Sequence, residues 1–326
     1  MQSLTITKKE EGQRLDKFLK KYLPEAPAGF IYKMMRKKNI TLNKKKTAGT
    51  EILAEGDTVA LFLSEETIGK FHGRIPSGET KAGEKLDVVY GDGDVLFVNK
   101  PAGLLTQPAK KGDPSLVDML VPFLLEEGRI TQEDLRAFRP APVNRLDRNT
   151  SGLVLCGTSL AGSRFLSEEI RSREVKKTYL ALVRGKQVPE GEMVTFYKKN
   201  AADNTVRLSG REKEGSGVMK THFHVLVENG PVALVSCRLI TGKTHQIRAQ
   251  LAFAGAPILG DPKYGDREAN EAFAHLTGVR RQMLHASCVG FPDQLDRFER
   301  LAGREFTAPL PADFQKACRS YGIAIE

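Results

Sequence analysis

The stretch Asn144-Arg145-Leu146-Asp147-Arg148-Asn149-Thr150-Ser151-Gly152 sets one carboxylate, Asp147, between two arginines. A polar turn and the apolar run Leu153-Val154-Leu155-Cys156 follow at once. An acid among cations at the mouth of a buried strand is either a loop salt bridge or a reactive group beside a polyanionic substrate. Other segments also join turn residues to side chains with chemistry. FVNKPAGLLTQ (97–107) is a strand entering a Pro-Gly turn with Lys100 at its tip, and KKTYLALVRG (176–185) is a strand that puts Tyr179 on one face. TGKTHQIRAQL (241–251) is a turn into a helix that Thr241 or Thr244 can cap; His245 and Arg248 lie three apart on one face, with Ile247 and Leu251 to bury another. ILGDPKYG (258–265) has the composition of a loop.

Several other chemistries are excluded. TGKTHQ is not a phosphate-binding P-loop, because Cys237 stands where that motif needs its first glycine. GDG at 91–93 precedes a strand and has Leu96 where a dinucleotide fingerprint needs a third glycine. His222 and His224 share a strand face but have no carboxylate or cysteine at metal-site spacing, so they read as sheet-face histidines. No GxSxG elbow is present. The expectation is an activity with no metal, nucleotide or other cofactor.

The elements that must position these residues fall into two parts. Residues 1–50 hold 13 Lys and Arg against 4 Asp and Glu, which is +9 of the chain's net +10 and leaves the remainder near neutral. A basic head on a near-neutral body suggests a module that meets a polyanion. Within it, Leu15, Phe18, Leu19, Tyr22 and Leu23 mark an amphipathic helix over 13–23, and Ile31, Met34 and Met35 a second over 28–38. A strand at 40–42, a turn at 43–46 and a strand pair across 52–63 complete the expected module, 1–63. Residues 64–84, rich in Gly, Ser and Glu, read as a linker. The body, 85–326, shows strands at 95–99, 153–156, 179–183, 222–227 and 232–239 and helices at 160–172 and 244–254, with a polar hairpin or loop over 198–217. The strand spacing is too irregular for a doubly wound sheet, so the fold class is α+β. No run of ~18 apolar residues predicts a membrane span. The N-terminus lacks the features of a secretory signal, and Cys156, Cys237, Cys288 and Cys318 form no CxxC pair, which fits reduced thiols in a cytoplasm. A monomer is expected.

Two resemblances sharpen this reading. RLDKFL, IYKMMRKKNITLNKKK and LAEGDTVAL, across 13–63, resemble the alpha-L type RNA-binding domain. NKPAGL, NRLDRNTSGLVL, KKTYLALV, TGKTHQIRAQL, LGDPKYG and LHA (284–286) occur in the order of the RluA-type pseudouridine synthases, across roughly 86–292. That resemblance implies a mixed, largely antiparallel sheet with flanking helices forming a catalytic cleft, and a small N-terminal α/β RNA-binding domain. It implies Asp147 as catalytic aspartate, Tyr179 as the residue stacking on the target base and Arg248 as the carboxylate's partner. Arg145, Arg148, Lys100 and His245, with Arg36, Lys37, Lys38, Lys44, Lys45 and Lys46 of the head, are the expected RNA contacts. Asn144 departs from the family's usual His.

Pseudouridine formation breaks the bond from ribose to the base nitrogen, turns the base and joins ribose to carbon, so the product is an isomer and no cofactor is consumed. A carboxylate can attack the sugar, attack the base or remove a ribose proton, and all three routes stay open. Hydrolysis of a glycosidic bond needs a second acid, and none lies near Asp147 in sequence. The rival classes are an RNA-binding protein without catalysis and a nucleosidase using Asp147. Ribosomal RNA of the large subunit is the expected substrate, with transfer RNA left open.

Overall fold

The computed structural model describes residues 2–7, 10–71, 85–110, 112–185, 188–200 and 205–325. The chain begins with β1 (Gln2–Thr5), α1 (Leu15–Tyr22), α2 (Ala28–Arg36), β2 (Ile40–Leu42), β3 (Lys45–Lys46), β4 (Thr58–Leu61) and α3 (Glu65–Phe71). Spacing of apolar residues explains the helices. Leu15, Phe18, Leu19 and Tyr22 bury one side of α1, against Ile31 and Met35 of α2, while Lys17 and Lys20 stay in water. The strands run β1-β4-β2-β3, all antiparallel.

Two expectations for this part change. The strand pair across 52–63 does not form: Ile52 makes only an isolated bridge to Arg14, and β4 pairs with β1 and β2 instead. The Asp57 carboxylate accepts from the Ala54 amide and the Asn43 side chain, which closes a turn without a hairpin. The start of the expected linker, 65–71, is the helix α3. The Ser64 hydroxyl accepts the Thr67 amide at 3.2 Å, Ile68 is buried in the same cluster as α1, and the Phe71 ring lies 4.7 Å from that of Phe30. The rest of that segment, 72–84, lies outside the described residues.

The body continues through β5 (Val88–Gly91), β6 (Val95–Lys100), α4 (Leu116–Glu126), α5 (Asp134–Ala137), β7 (Ala141–Pro142), β8 (Ser151–Gly157), α6 (Leu160–Ser172), β9 (Lys176–Arg184), β10 (Gly191–Asn200), β11 (Thr205–Ser209), β12 (Gly217–Asn229), β13 (Val232–Leu239), α7 (Gln246–Phe253), α8 (Arg267–Thr277), β14 (Leu284–Gly290), β15 (Glu305–Thr307) and α9 (Ala312–Ser320). Its sheet runs β11-β10-β12-β13-β9-β14-β8-β6-β5, with β15 on β14 and β7 on β8. The fold is α+β with a mixed, mostly antiparallel sheet. β10 and β11 form the hairpin that the polar 198–217 stretch suggested.

β8 shows why its sequence is apolar without alternation: both faces are covered. Leu153 and Leu155 join Phe97, Phe165 and Phe306 on one face; Val154 and Cys156 join Leu96, Leu120 and Leu124 on the other. Its pairing with β14 is the parallel one among the described strands. There Gly152 has φ +109°, and a Cβ would stand 2.2 Å from the Ala286 carbonyl oxygen, so only glycine lets the two backbones meet.

His285, on β14, is fully buried. Nε2 donates to the Ala308 carbonyl at 3.2 Å, so Nδ1 accepts from the Ser151 hydroxyl at 2.9 Å. Burial pushes its pKa down to about 4 from 6.5. The unfolded chain therefore takes up a proton that the fold refuses. Its contribution is intact above about pH 6.5 and shrinks as pH falls, reaching a loss of about 3 kcal/mol near pH 4. Urea melts near pH 7 and pH 4.5 should show this loss in the wild type and a smaller one in His285→Gln; equal losses would assign the acid limb to other groups.

Candidate active site

Asp147 sits in the loop between β7 and β8, whose backbone is tied down on several sides. The Thr106 hydroxyl accepts the Leu146 amide at 3.1 Å and donates to the Leu146 carbonyl at 3.0 Å. The Gly103 amide donates to the Arg148 carbonyl, and Arg281, held by a two-bond fork from Asp313, donates to the Asn149 carbonyl. The Asn144 side chain accepts the Leu155 amide at 2.7 Å. The position that departs from the family pattern thus anchors the loop to β8 through a bond that needs no imidazole.

Lys100 requires a correction. Pro101 and Gly103 suggested an exposed tip, but the side chain turns inward and is fully buried. Its Nζ donates to the carbonyls of Pro101 and Leu104 at 2.8 Å and of Arg148 at 3.2 Å, which uses all three donors of the ammonium. Burial, with the nearby Arg281 charge, pushes its pKa down to about 7. Lys100 therefore braces the Asp147 loop from beneath and has no face for a phosphate.

The opposite wall comes from the turn into α7 and the loop after it. His245 does not lie on the helix: it is the residue before it, in the left-handed conformation at φ 53°, and Thr241 bonds the Gln246 side chain rather than capping. This kink sends the imidazole back toward the β7–β8 loop. Arg248, one turn into α7, donates from Nη1 to Asp147 Oδ2 at 2.7 Å. From Nε and Nη2 it also grips Asp261 Oδ2 and Oδ1 at 2.7 and 2.8 Å. The Asp261 side chain is fully buried, Arg248 nearly so, and Asp147 is 30 % exposed. Burial alone would lower the Arg248 pKa, but Asp261 and Asp147 outweigh it and raise it; burial likewise opposes the Asp261 charge, and Arg248 reverses that, so the acid's pKa is lowered. Gly260, next to Asp261, lets this loop pass against the Arg281 backbone: at φ +73° a Cβ would stand 2.1 Å from the Arg281 carbonyl oxygen.

The other oxygen of Asp147, Oδ1, has His245 Nε2 at 3.8 Å, too long for a hydrogen bond. The far nitrogen, Nδ1, is 3.0 Å from the Tyr264 hydroxyl, which also accepts the Val206 amide of β11 at 3.0 Å. The Arg248 guanidinium lies 5.3 Å from the Tyr264 ring centroid. Tyr179, on β9, is buried, and burial together with the Asp147 charge raises its pKa. The structure thus gathers Asp147, Arg248, His245 and Tyr179. Arg145 and Arg148 flank the acid in sequence but point to solvent, and neither makes an ion pair among the described residues. Arg36, Lys37, Lys38, Lys44, Lys45 and Lys46 are exposed on the head. The sequence reading gives Asp261 and Tyr264 no role of their own, although both lie in LGDPKYG, one of the ordered motifs.

An arginine-held, half-open carboxylate beside a buried tyrosine suits chemistry on a nucleotide turned out of its stack. Comparison with known proteins agrees. The model for RNA pseudouridylate synthases matches residues 94–253. The ribosomal large subunit pseudouridine synthase C of Escherichia coli K12 is 33% identical over 295 residues, 88% of each chain, and that of Vibrio cholerae serotype O1 is 30% identical over 325 residues, 97% of this chain and 96% of its own. Among solved structures, human RNA pseudouridylate synthase domain containing 1 aligns at a TM-score of 0.54 with 26% identity over 70% of this chain and 84% of its own. Human RNA pseudouridylate synthase domain containing 4 shares the fold at a TM-score of 0.58, with 23% identity over 73% of this chain and 94% of its own. A chain so alike in sequence, over nearly its whole length and with this carboxylate at its cleft, belongs to the RNA pseudouridylate synthases.

Proposed function

We propose that the chain isomerises uridines in the ribosomal RNA of the large subunit, with Asp147 as the group that acts on the target nucleotide. The carrying observation is the pairing of Asp147 with an arginine that is itself locked by a buried acid. One oxygen is held; the other makes no hydrogen bond among the described residues. The base nitrogen's bond to ribose breaks, a bond from the sugar to C5 of the turned base forms, and the C5 proton leaves while the ring nitrogen gains one, so atoms balance without a co-reactant. Asp261 does not supply the second acid of a hydrolase, because both its oxygens are engaged by Arg248. The target must leave its stack at a cost of a few kcal/mol. Tyr179, beside the carboxylate, supplies a face for the extruded base, and exposed Arg145 and Arg148 meet the flanking phosphates. The similarity to ribosomal large subunit pseudouridine synthases supports the ribosomal substrate. Release of tritium from 5-tritiated uridine in ribosomal RNA, with pseudouridine mapping in a deletion strain, tests the reading. Free uracil would mean a nucleosidase, and sites mapping to transfer RNA would move the substrate.

Residues 1–63 act in this reading as the RNA-binding module, and the chain works as a cytoplasmic monomer. The exposed Lys44 sits on the β2–β3 turn, where Asn43 and Lys44 have positive φ, and the exposed Lys45 and Lys46 form β3. Each phosphate contact adds about 0.7–0.9 to the slope of log affinity against log salt. Changing the three lysines to Gln should flatten that slope by about 2 if all three contact phosphate. Filter binding at several salt concentrations reads the slope, and an unchanged one would make this face solvated charge only.

A further inference from the structure

The Tyr264 hydroxyl has one proton and two lone pairs, and it touches two groups. The Val206 amide can only donate, so the oxygen accepts there. No other acceptor for the Tyr264 proton is found among the described residues, which leaves His245 Nδ1 at 3.0 Å to take it. Burial raises the Tyr264 pKa, so the hydroxyl keeps its proton. A second constraint points the same way. His245 Nε2 faces Asp147 Oδ1 at 3.8 Å, and a bare nitrogen lone pair aimed at a carboxylate would be repelled. Burial lowers the His245 pKa, with the Arg248 and Lys263 charges adding to this and Asp147 and Asp261 opposing it, which favours the neutral ring.

We infer that Tyr264 fixes His245 as the neutral tautomer with its proton on Nε2, and that His245 is a positioning residue for Asp147. It turns an N–H dipole toward the oxygen that Arg248 leaves unheld. At 3.8 Å that dipole orients Oδ1 without occupying it, as a close hydrogen bond or a cation would. The same hydroxyl is a hydrogen-bond link from the β10–β11 hairpin to the imidazole, so the setting of the ring is tied to the seating of the hairpin. The functional part of this inference rests on Asp147 acting on the nucleotide; the tautomer does not.

Long-range nitrogen-15 spectra of the free full-length protein read the tautomer directly, with His245 assigned by comparison with a His245→Gln sample. Nε2 should appear protonated and Nδ1 bare. Tyr264→Phe should let the proton redistribute to Nδ1. In single-turnover assays, Gln at 245 can place its amide N–H where Nε2–H was, whereas Asn places one only where Nδ1 was. His245→Gln should therefore stay within about tenfold of wild type in kcat, and His245→Asn should fall by about 10–100-fold at unchanged KM. A protonated Nδ1 in the wild type, or equal losses in Gln and Asn, would overturn the inference. Because the spectra need no substrate, failure of the Asp147 reading would show separately, as turnover surviving in Asp147→Asn.

Discussion

Asp147→Asn should bind RNA as the wild type does and release no tritium, with turnover reduced by at least about four orders of magnitude. The substitution is nearly isosteric. Its amide oxygen can still accept the Arg248 Nη1 proton now held at 2.7 Å, so the cleft keeps its shape. The loop's conformation owes little to the side chain, because Thr106, Lys100, Gly103 and Arg281 hold its backbone. What disappears is the charge and the nucleophilic or basic lone pair on Oδ1. Filter binding and single-turnover tritium release on the same RNA separate the two effects. Turnover near the wild-type rate would remove Asp147 from the chemistry, and a parallel loss of binding would make it a structural residue.

The second large effect belongs to a residue that touches no substrate. Asp261→Asn should destabilise the fold by about 3–5 kcal/mol, because it leaves a buried guanidinium short of its counter-charge and sets an amide N–H₂ against a donor. Asp261 Oδ1 also accepts the backbone amides of Lys263 and Tyr264, at 2.8 and 3.1 Å, so the loop that carries Tyr264 should loosen too. Freed on that side, Arg248 can turn both prongs onto Asp147 and occupy the oxygen that must react. Activity at a temperature where the variant is still folded should fall more than tenfold, a loss of about 1.4 kcal/mol or more in transition-state stabilisation. Urea melts and single-turnover rates check both halves. Unchanged stability would mean that the Arg248–Asp261 fork contributes nothing net to folding.

The parts of this architecture that were legible are those coded locally. The stripe in α1, the span of α6 and the centre of β8 follow from periodicity. Asp147 and Arg248 stood out through the family's ordered motifs, although 101 positions separate them and no spacing rule joins them. What escaped was decided by the direction a side chain takes. Lys100 precedes a Pro-Gly turn, which signals exposure for the backbone but not for a long amine that folds under it. His245 fits a helical face at i, i+3 with Arg248, yet the left-handed kink before α7 aims it elsewhere. Asp261 reads as a turn former, and only the arrival of Arg248 from α7 makes it an ion-pair partner. β1 is four residues long, too short for alternation to distinguish it from loop.

The parallel strand β14 has a consequence for synthesis. It lies between β9 and β8, so a chain that has not yet made residues 284–290 holds two unjoined sheets, β11-β10-β12-β13-β9 and β8-β6-β5. Asp147 hangs from the second and Arg248 follows the first. The site therefore lies across a seam that β14, in roughly the last eighth of the chain, must close. Closing it joins residues more than a hundred positions apart, the kind of contact that forms slowly. A chain cut short before β14 should therefore show no turnover, although it carries its basic head and both Asp147 and Arg248.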